Sequence, residues 1–265
     1  MIFARLTQRW HALRYWREHQ RLNRLAAGPL QVHARFEDAT FDGAYRDAIR
    51  RDAGLVLWQH DGEHGRFALR LQASHDNAQG ELTLSLMADG AILHRLCWTW
   101  ADGALFDSPP TVVPFVTRNA GLWRDAGPAF EAFERAFPNN SPSFFTFAAL
   151  QGAAQALGIE RVIAVRAKAH PDYEAAQHAA FENAYDGFWR ILGVVETNER
   201  TCTIALPLYL KPLQDMPSKH RKRAAQRREH WAAIGEAARS TLLRHMTSCE
   251  VAPAIAQHAP ATAKA

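Results

Sequence analysis

The run Leu82-Thr83-Leu84-Ser85-Leu86-Met87-Ala88-Asp89-Gly90-Ala91-Ile92-Leu93-His94-Arg95-Leu96-Cys97-Trp98-Thr99-Trp100 decides how the middle of this chain folds. Leu82, Leu84 and Leu86 alternate with Thr83 and Ser85, and Ile92, His94, Leu96, Trp98 and Trp100 continue the period of two. Successive strand side chains point to opposite faces, so the alternation specifies two strands with one apolar face each. Asp89-Gly90 between them reads as a hairpin turn, because Gly accepts positive φ without steric cost. Upstream, Phe67, Leu69 and Leu71 alternate with Ala68 and Arg70. An antiparallel meander over about residues 55–100, with one buried face, follows from the pattern. Trp98 and Trp100 read as packing on that face, with a ligand cleft as the alternative.

Downstream the rhythm changes. Asp107-Ser108-Pro109-Pro110 is a loop, Val112 to Val116 an apolar run, and 128–137 a helix with Phe130, Phe133 and Phe137 on one face. Residues 138–142 (Pro-Asn-Asn-Ser-Pro) break the chain and mark a candidate internal boundary. Phe144 to Phe147 reads as a strand, Leu150 to Leu157 as a helix closing at Gly158, and Val162 to Val165 as a β-branched strand. A helix over 173–192, a strand from Thr201 to Leu208 and a last helix from Ser218 complete the order. The fold class expected is α+β: a meander, then a β-α-β-α-β half whose crossovers make the sheet partly parallel, with helices at both ends. Residues 1–27 form a basic amphipathic helix, 28–249 one mixed domain, and 250–265 an aperiodic, disordered tail.

Three separated cysteines (Cys97, Cys202 and Cys249) with no CxxC spacing argue against a disulfide framework and against a zinc site. No signal-peptide core or bilayer-spanning stretch is present, so a cytoplasmic location is expected. The net charge of +4 hides strong clustering, with arginines crowding residues 2–26 and Lys219 to Arg228, which implies an anionic partner. Residues 2–26 either dock on their own domain or touch the inner membrane peripherally. No recognition motif for nucleic acid accompanies the basic ends.

Pro217-Ser218-Lys219-His220-Arg221-Lys222-Arg223 is the segment most suggestive of function. With Ser218 as N-cap, four cations fall where the helix dipole is already positive, an arrangement that disfavours stability but suits a bound anion. Ser218, Lys219, His220, Arg221 and Arg223 are the ligand-binding candidates, against the alternative of a solvated patch. Tyr185-Asp186-Gly187-Phe188-Trp189 carries a second cluster, in which Glu182 and Asp186 share a helix face with Arg190 a turn on. His170, in the loop beyond the strand at 162–165, is the first histidine to test as a general base. Tyr185 and Asp186 join it as catalytic candidates, and Trp189 is a ligand-contact candidate as well as a core residue. Gln151-Gly152 begins a small-residue run suited to close approach by a ligand. No spacing calls for a metal.

These residues resemble the VirK/YbjX family of bacterial proteins. The resemblance runs from the meander to about Met246 and rests on Gly80-Glu81-Leu82, Leu150-Gln151-Gly152, Tyr185-Asp186-Gly187-Phe188-Trp189 and Pro217-Ser218-Lys219-His220-Arg221. It implies an accessory role in the bacterial envelope or in virulence, including tolerance of cationic antimicrobial peptides, and brings no reaction with it. The second half is also similar to a GNAT-type acyltransferase core, which implies a coenzyme A thioester as donor. The run Gln151-Gly152-Ala153-Ala154 departs from the spacing of the pyrophosphate turn in those enzymes. An acyltransferase predicts a deep cleft near Phe147 and Val165, whereas an accessory binding protein predicts a shallow basic surface.

Overall fold

Alternation over the middle of the chain becomes four antiparallel strands in the computed structural model, which describes residues 31–74, 80–122 and 126–247. Two helices that the sequence pattern did not suggest come first, α1 (residues 31–40) and α2 (Gly43–Arg50), the latter capped by the Asp42 carboxylate on Tyr45 N–H at 2.7 Å. The meander is β1 (Leu55–Gly62), β2 (Gly65–Ala73), β3 (Leu82–Ala88) and β4 (Ala91–Asp102). Asp89 and Gly90 both adopt positive φ, the requirement of the tight hairpin turn. Registers Leu71↔Leu84↔Leu96 and Leu69↔Leu86↔His94 put the alternating apolar residues on one face, where all are buried. The opposite face carries half-buried Arg70, Gln72, Thr83 and Arg95.

β5 (Val112–Gly121) extends the sheet, and α3 (Gly127–Ala136) and α4 (Pro142–Ala156) follow. Phe144 to Phe147, expected as a strand, lies inside α4. Pro142 at the first helical position starts the helix, and apolar residues all round it suit an element buried on nearly every side, which a short apolar run cannot distinguish from a strand. β6 (Arg161–Val165) leads to a helical stretch over 178–192, made of α5 (His178–Glu182), a π turn (Asn183–Gly187) and α6 (Phe188–Leu192). β7 (Val194–Thr197) and β8 (Thr201–Ala205) form a hairpin, and α7 (Ser218–Leu243) closes the fold.

One eight-stranded sheet results, in the order β1-β2-β3-β4-β5-β6-β8-β7. The α+β class holds, and the parallel content reduces to a single pair, β5 with β6, because β8 returns antiparallel to β6. Helices cover the apolar face: Phe36 of α1 packs on Trp100 at 5.3 Å between ring centroids, and Thr146 of α4 meets the buried His94 at 3.0 Å. α4 and α7 are packed along each other, and a Cβ on Gly152 would sit 2.0 Å from the Gly235 carbonyl oxygen. That crossing is possible only with glycine at 152. The basic helix expected over residues 2–26 and the tail expected from 250 lie outside the described residues. No helix among the described residues is long and apolar enough to cross a membrane.

Candidate functional site

β5 and β6 are paired only at Phe115↔Ile163 and Val116↔Ala164, then they diverge. The wedge between them leaves backbone groups that must find partners, since an unmet buried N–H or C=O costs about 1–3 kcal/mol. The 178–192 stretch supplies them. The Trp189 indole N–H donates to Val165 O at 2.9 Å, and Asn119 N–H donates to the Tyr185 hydroxyl at 3.5 Å. Ala167 N–H and the Arg166 guanidinium donate to Asp186, both at 3.3 Å, and the Asn119 side-chain amide donates to Ala184 O. The π turn brings Tyr185, Asp186 and Trp189 to the wedge together, and Gly187 is required in it because a Cβ there would meet the Glu182 carbonyl at 2.9 Å.

His170 packs against Tyr185, with ring centroids 4.9 Å apart, and its Nδ1 accepts from Asp172 N–H at 3.1 Å. Burial holds His170 down at about 4, with Arg118 reinforcing and Asp172 and the Thr117 carbonyl opposing. Burial also pushes the Tyr185 phenol well above its ordinary range. The three catalytic candidates thus share one place, where they are bonded to the framework: His170 is neutral with Nδ1 occupied, and the Asp186 carboxylate is engaged by Arg166 and Ala167. Phe147 and Val165, where a deep cleft was one expectation, are buried, with Trp189 filling the space between β6 and α4.

Gln151 and Gly152 are placed elsewhere. They sit within α4 rather than at a helix start, so their backbone N–H groups belong to the helix and do not form a phosphate cradle. Gly152 serves the crossing with α7, and the Gln151 side-chain carbonyl accepts from Leu208 N–H at 3.0 Å. Gln151 also borders the larger of the two cavities described below, while Gly152 does not.

Ser218 is the first residue of α7, not its cap; Pro217 holds the cap position and offers no side-chain bond. The reason is local: Pro217 cannot continue a helix backwards but is pre-set to enter one. Lys219, His220, Arg221, Lys222 and Arg223 are all exposed. Arg221 turns back to donate to Met216 O and Gln214 O, each at 2.9 Å.

Past this exposed turn, α7, α4 and the segment Leu208–Lys211 enclose a groove. It consists of two adjoining cavities of about 190 and 280 Å³ that share Phe144, Leu208, Leu210, Arg228 and Trp231. Phe144 and Trp231 stack at 4.8 Å to make an apolar floor. Arg228 donates to Lys211 O and pins the segment to the helix. The Arg227 guanidinium lies 6.0 Å over the Trp231 ring, and its Nε is buried with no hydrogen-bond partner. Trp231 opens the apolar stripe Trp231, Ile234, Ala238 and Leu242 expected of the last helix, whereas Arg227 and Arg228 were not singled out from sequence. The signal was present: Ala224, Arg227, Arg228 and Trp231 keep the i, i+3, i+4, i+7 spacing that continues the Ile234–Ala238–Leu242 stripe towards the helix start.

A second group escaped notice because it falls in α1 and α2. Glu37 accepts from the Tyr45 hydroxyl at 2.9 Å and from the Trp100 indole at 3.2 Å, beside His33 at 3.9 Å. Burial raises Glu37 to about 7, opposed by those two hydrogen bonds, and lowers His33 to about 4. No cavity adjoins this pair among those described above.

Residues 140–237 match the model of a family described as "Protein of unknown function (DUF535)". The matched stretch contains α4, the wedge helix and the groove. No curated protein matches the chain. Among solved structures, a cAMP-binding acyltransferase from Mycobacterium smegmatis is similar at 10% identity and a TM-score of 0.33, over 81% of this chain and 61% of that one. A point mutant of the same enzyme matches at 9% identity and a TM-score of 0.33, over 78% and 60%. The chain thus spans about three fifths of that enzyme's length.

Proposed function

We propose that this chain is a non-enzymatic accessory protein of the bacterial envelope, which binds an acidic or phosphorylated amphiphile along the basic half of α7. The observation that carries the binding reading is the groove itself, an aromatic floor with Arg228 across it and a buried, unmet Arg227 Nε in its wall. A buried donor without an acceptor is costly, and an anionic oxygen in the groove relieves it. The apolar floor accounts for a ligand with a hydrocarbon part. The envelope role rests on the family resemblance of the sequence. The exposed cations from Lys219 to Arg223 extend the positive field towards solvent and raise the rate at which an anion arrives.

Calorimetric titration with decyl phosphate and with decanol tests the reading. Decyl phosphate binds and decanol binds at least tenfold more weakly, and Arg227→Gln costs ten- to hundredfold in Kd, about the 1.5–3 kcal/mol of a charge-assisted hydrogen bond. Equal affinity for the phosphate and the alcohol sinks it.

Acyl transfer from a coenzyme A thioester is the second reading, favoured by one feature, the opening of β5 from β6. Its closure by Tyr185 and Trp189 weighs against it. A rise in melting temperature with coenzyme A would turn the choice.

A further inference from the structure

The rim of the groove holds three large apolar side chains in water. Tyr209 is 82% exposed, Ile191 70% and Leu210 44%, and all three border the same cavity. Their position is fixed. Leu208 is tied to Gln151, Arg228 holds Lys211 O, and Pro207 and Pro212 bracket the segment, so Tyr209 and Leu210 stand at its crest.

Charge surrounds this crest on one side. Residues 206–231 contain seven Lys and Arg against Asp215 and Glu229. At 100° per residue, Arg227 and Arg228 fall on the flank of α7 that faces the groove, together with Ala224 and Trp231; Arg223 falls at the edge of that flank, about 40° beyond Arg227, while Lys222 and Glu229 fall on the far side. The cavity of about 190 Å³ that borders the crest has no acidic side chain in its lining, and Glu236 lines the adjoining one. The result is an apolar crest rimmed by cations.

We propose that this rim is a docking surface for an anionic lipid bilayer, with Tyr209, Leu210 and Ile191 entering the headgroup region and Lys211, Arg223, Arg227 and Arg228 meeting lipid phosphates. Three protruding side chains are far short of the roughly 800 Å² that each partner buries in a stable protein interface. They suffice for a membrane surface, where a few apolar side chains and several cations act together. Tyrosine, with an apolar ring and a polar tip, suits the depth of the headgroups. Each cation near an anionic surface contributes about fivefold in partitioning. The surface goes beyond the groove reading, because it requires no ligand inside the groove.

Co-sedimentation of the intact chain with phosphatidylcholine vesicles, with and without phosphatidylglycerol, tests it. Binding is expected only with phosphatidylglycerol and falls as salt rises. Tyr209→Ser with Leu210→Ser lowers partitioning about tenfold or more, with an unchanged melting temperature because both side chains are exposed. Arg223→Gln lowers it about fivefold, while Lys222→Gln, the same charge change on the far flank, alters it less than twofold. The proposal falls if the double variant binds as the unaltered chain does, as it would were residues 2–26 the anchor. It also falls if Arg223→Gln and Lys222→Gln lose equally, or if no vesicle binds. Failure of the unaltered chain to bind vesicles while it still binds monomeric decyl phosphate overturns this proposal alone and leaves the groove reading standing.

Discussion

The wedge between β5 and β6 and the groove along α7 begin with the same difficulty, polar groups withdrawn from water, and resolve it in opposite ways. In the wedge, diverging strands strand their backbone atoms, and one helix turned by a π bulge answers nearly all of them with Tyr185, Asp186 and Trp189. In the groove, Arg228 is answered by a loop carbonyl, but Arg227 Nε is left buried and unmet in the wall. A cluster of titratable and aromatic side chains is therefore no guide to a site unless its hydrogen bonds are counted. The wedge has the richer chemistry on paper, but its Tyr185, Asp186 and Trp189 are already bonded to the framework, and Asn119 Oδ1 is the atom left unmet there.

The largest effect expected concerns the crossing that holds the groove together. Gly152→Ala should cost about 3 kcal/mol or more in a urea titration, because its Cβ meets the Gly235 backbone. Gly235→Ala, whose Cβ meets only Ala148 O at 3.4 Å, should change stability by less than about 1 kcal/mol. Equal costs would mean that α4 and α7 are not in contact as described.

Acid separates the wedge from the groove next. His94 and His170 are held at about 3 and 4, below the 6.5 of an exposed histidine. The unfolded chain thus binds protons that the folded chain refuses, so the stability they carry is full above pH 6.5 and is lost as pH falls towards 4. Glu37, raised to about 7, acts in reverse: its contribution is full below pH 4.5 and is lost as pH rises to 7. Denaturation across this range should show the two trends offsetting each other. Glu37→Gln should remove the falling one, steepening the rise of stability from pH 4.5 to 7 by about 2 kcal/mol. An unchanged slope breaks the assignment.

Within the wedge, Trp189→Phe should cost about 1–2 kcal/mol through the orphaned Val165 carbonyl. Tyr185→Phe, losing one long contact, should cost less than about 1 kcal/mol. The smallest differences lie in the basic turn. Arg221→Gln should lower stability by about 1 kcal/mol, since it anchors two loop carbonyls. Lys219→Gln should stay within about 0.5 kcal/mol.

The meander was legible because period two has no competing explanation over such a length, and Asp89-Gly90 fixed its register. Phe144 to Phe147 was not: four apolar residues suit a strand or a buried helix equally, and burial on all sides erases the period that would tell them apart. β7 went unread because Val194 to Thr197 is a short edge segment with little to bury. Tyr185, Asp186 and Trp189 stood out because Tyr185 to Trp189 is dense in aromatic and charged types, but Asn119 and Arg166 did not, since the bonding among these residues depends on strand divergence that no local pattern encodes. Arg227 and Arg228 were overlooked for the contrary reason. They sit in a charged run whose solvent-facing members look the same, and only the phase of the apolar stripe separates them.

The bulge at Asn183–Gly187 has an arithmetic consequence. A π turn is a helix with one residue too many. Deleting a single amino acid between these positions would restore ordinary winding and leave everything after it facing as before, whereas inserting one more would swing the rest by about 100°. An insertion would take Trp189 away from Val165 and turn the exposed Ile191 with it. This stretch tolerates a shorter spelling better than a longer one.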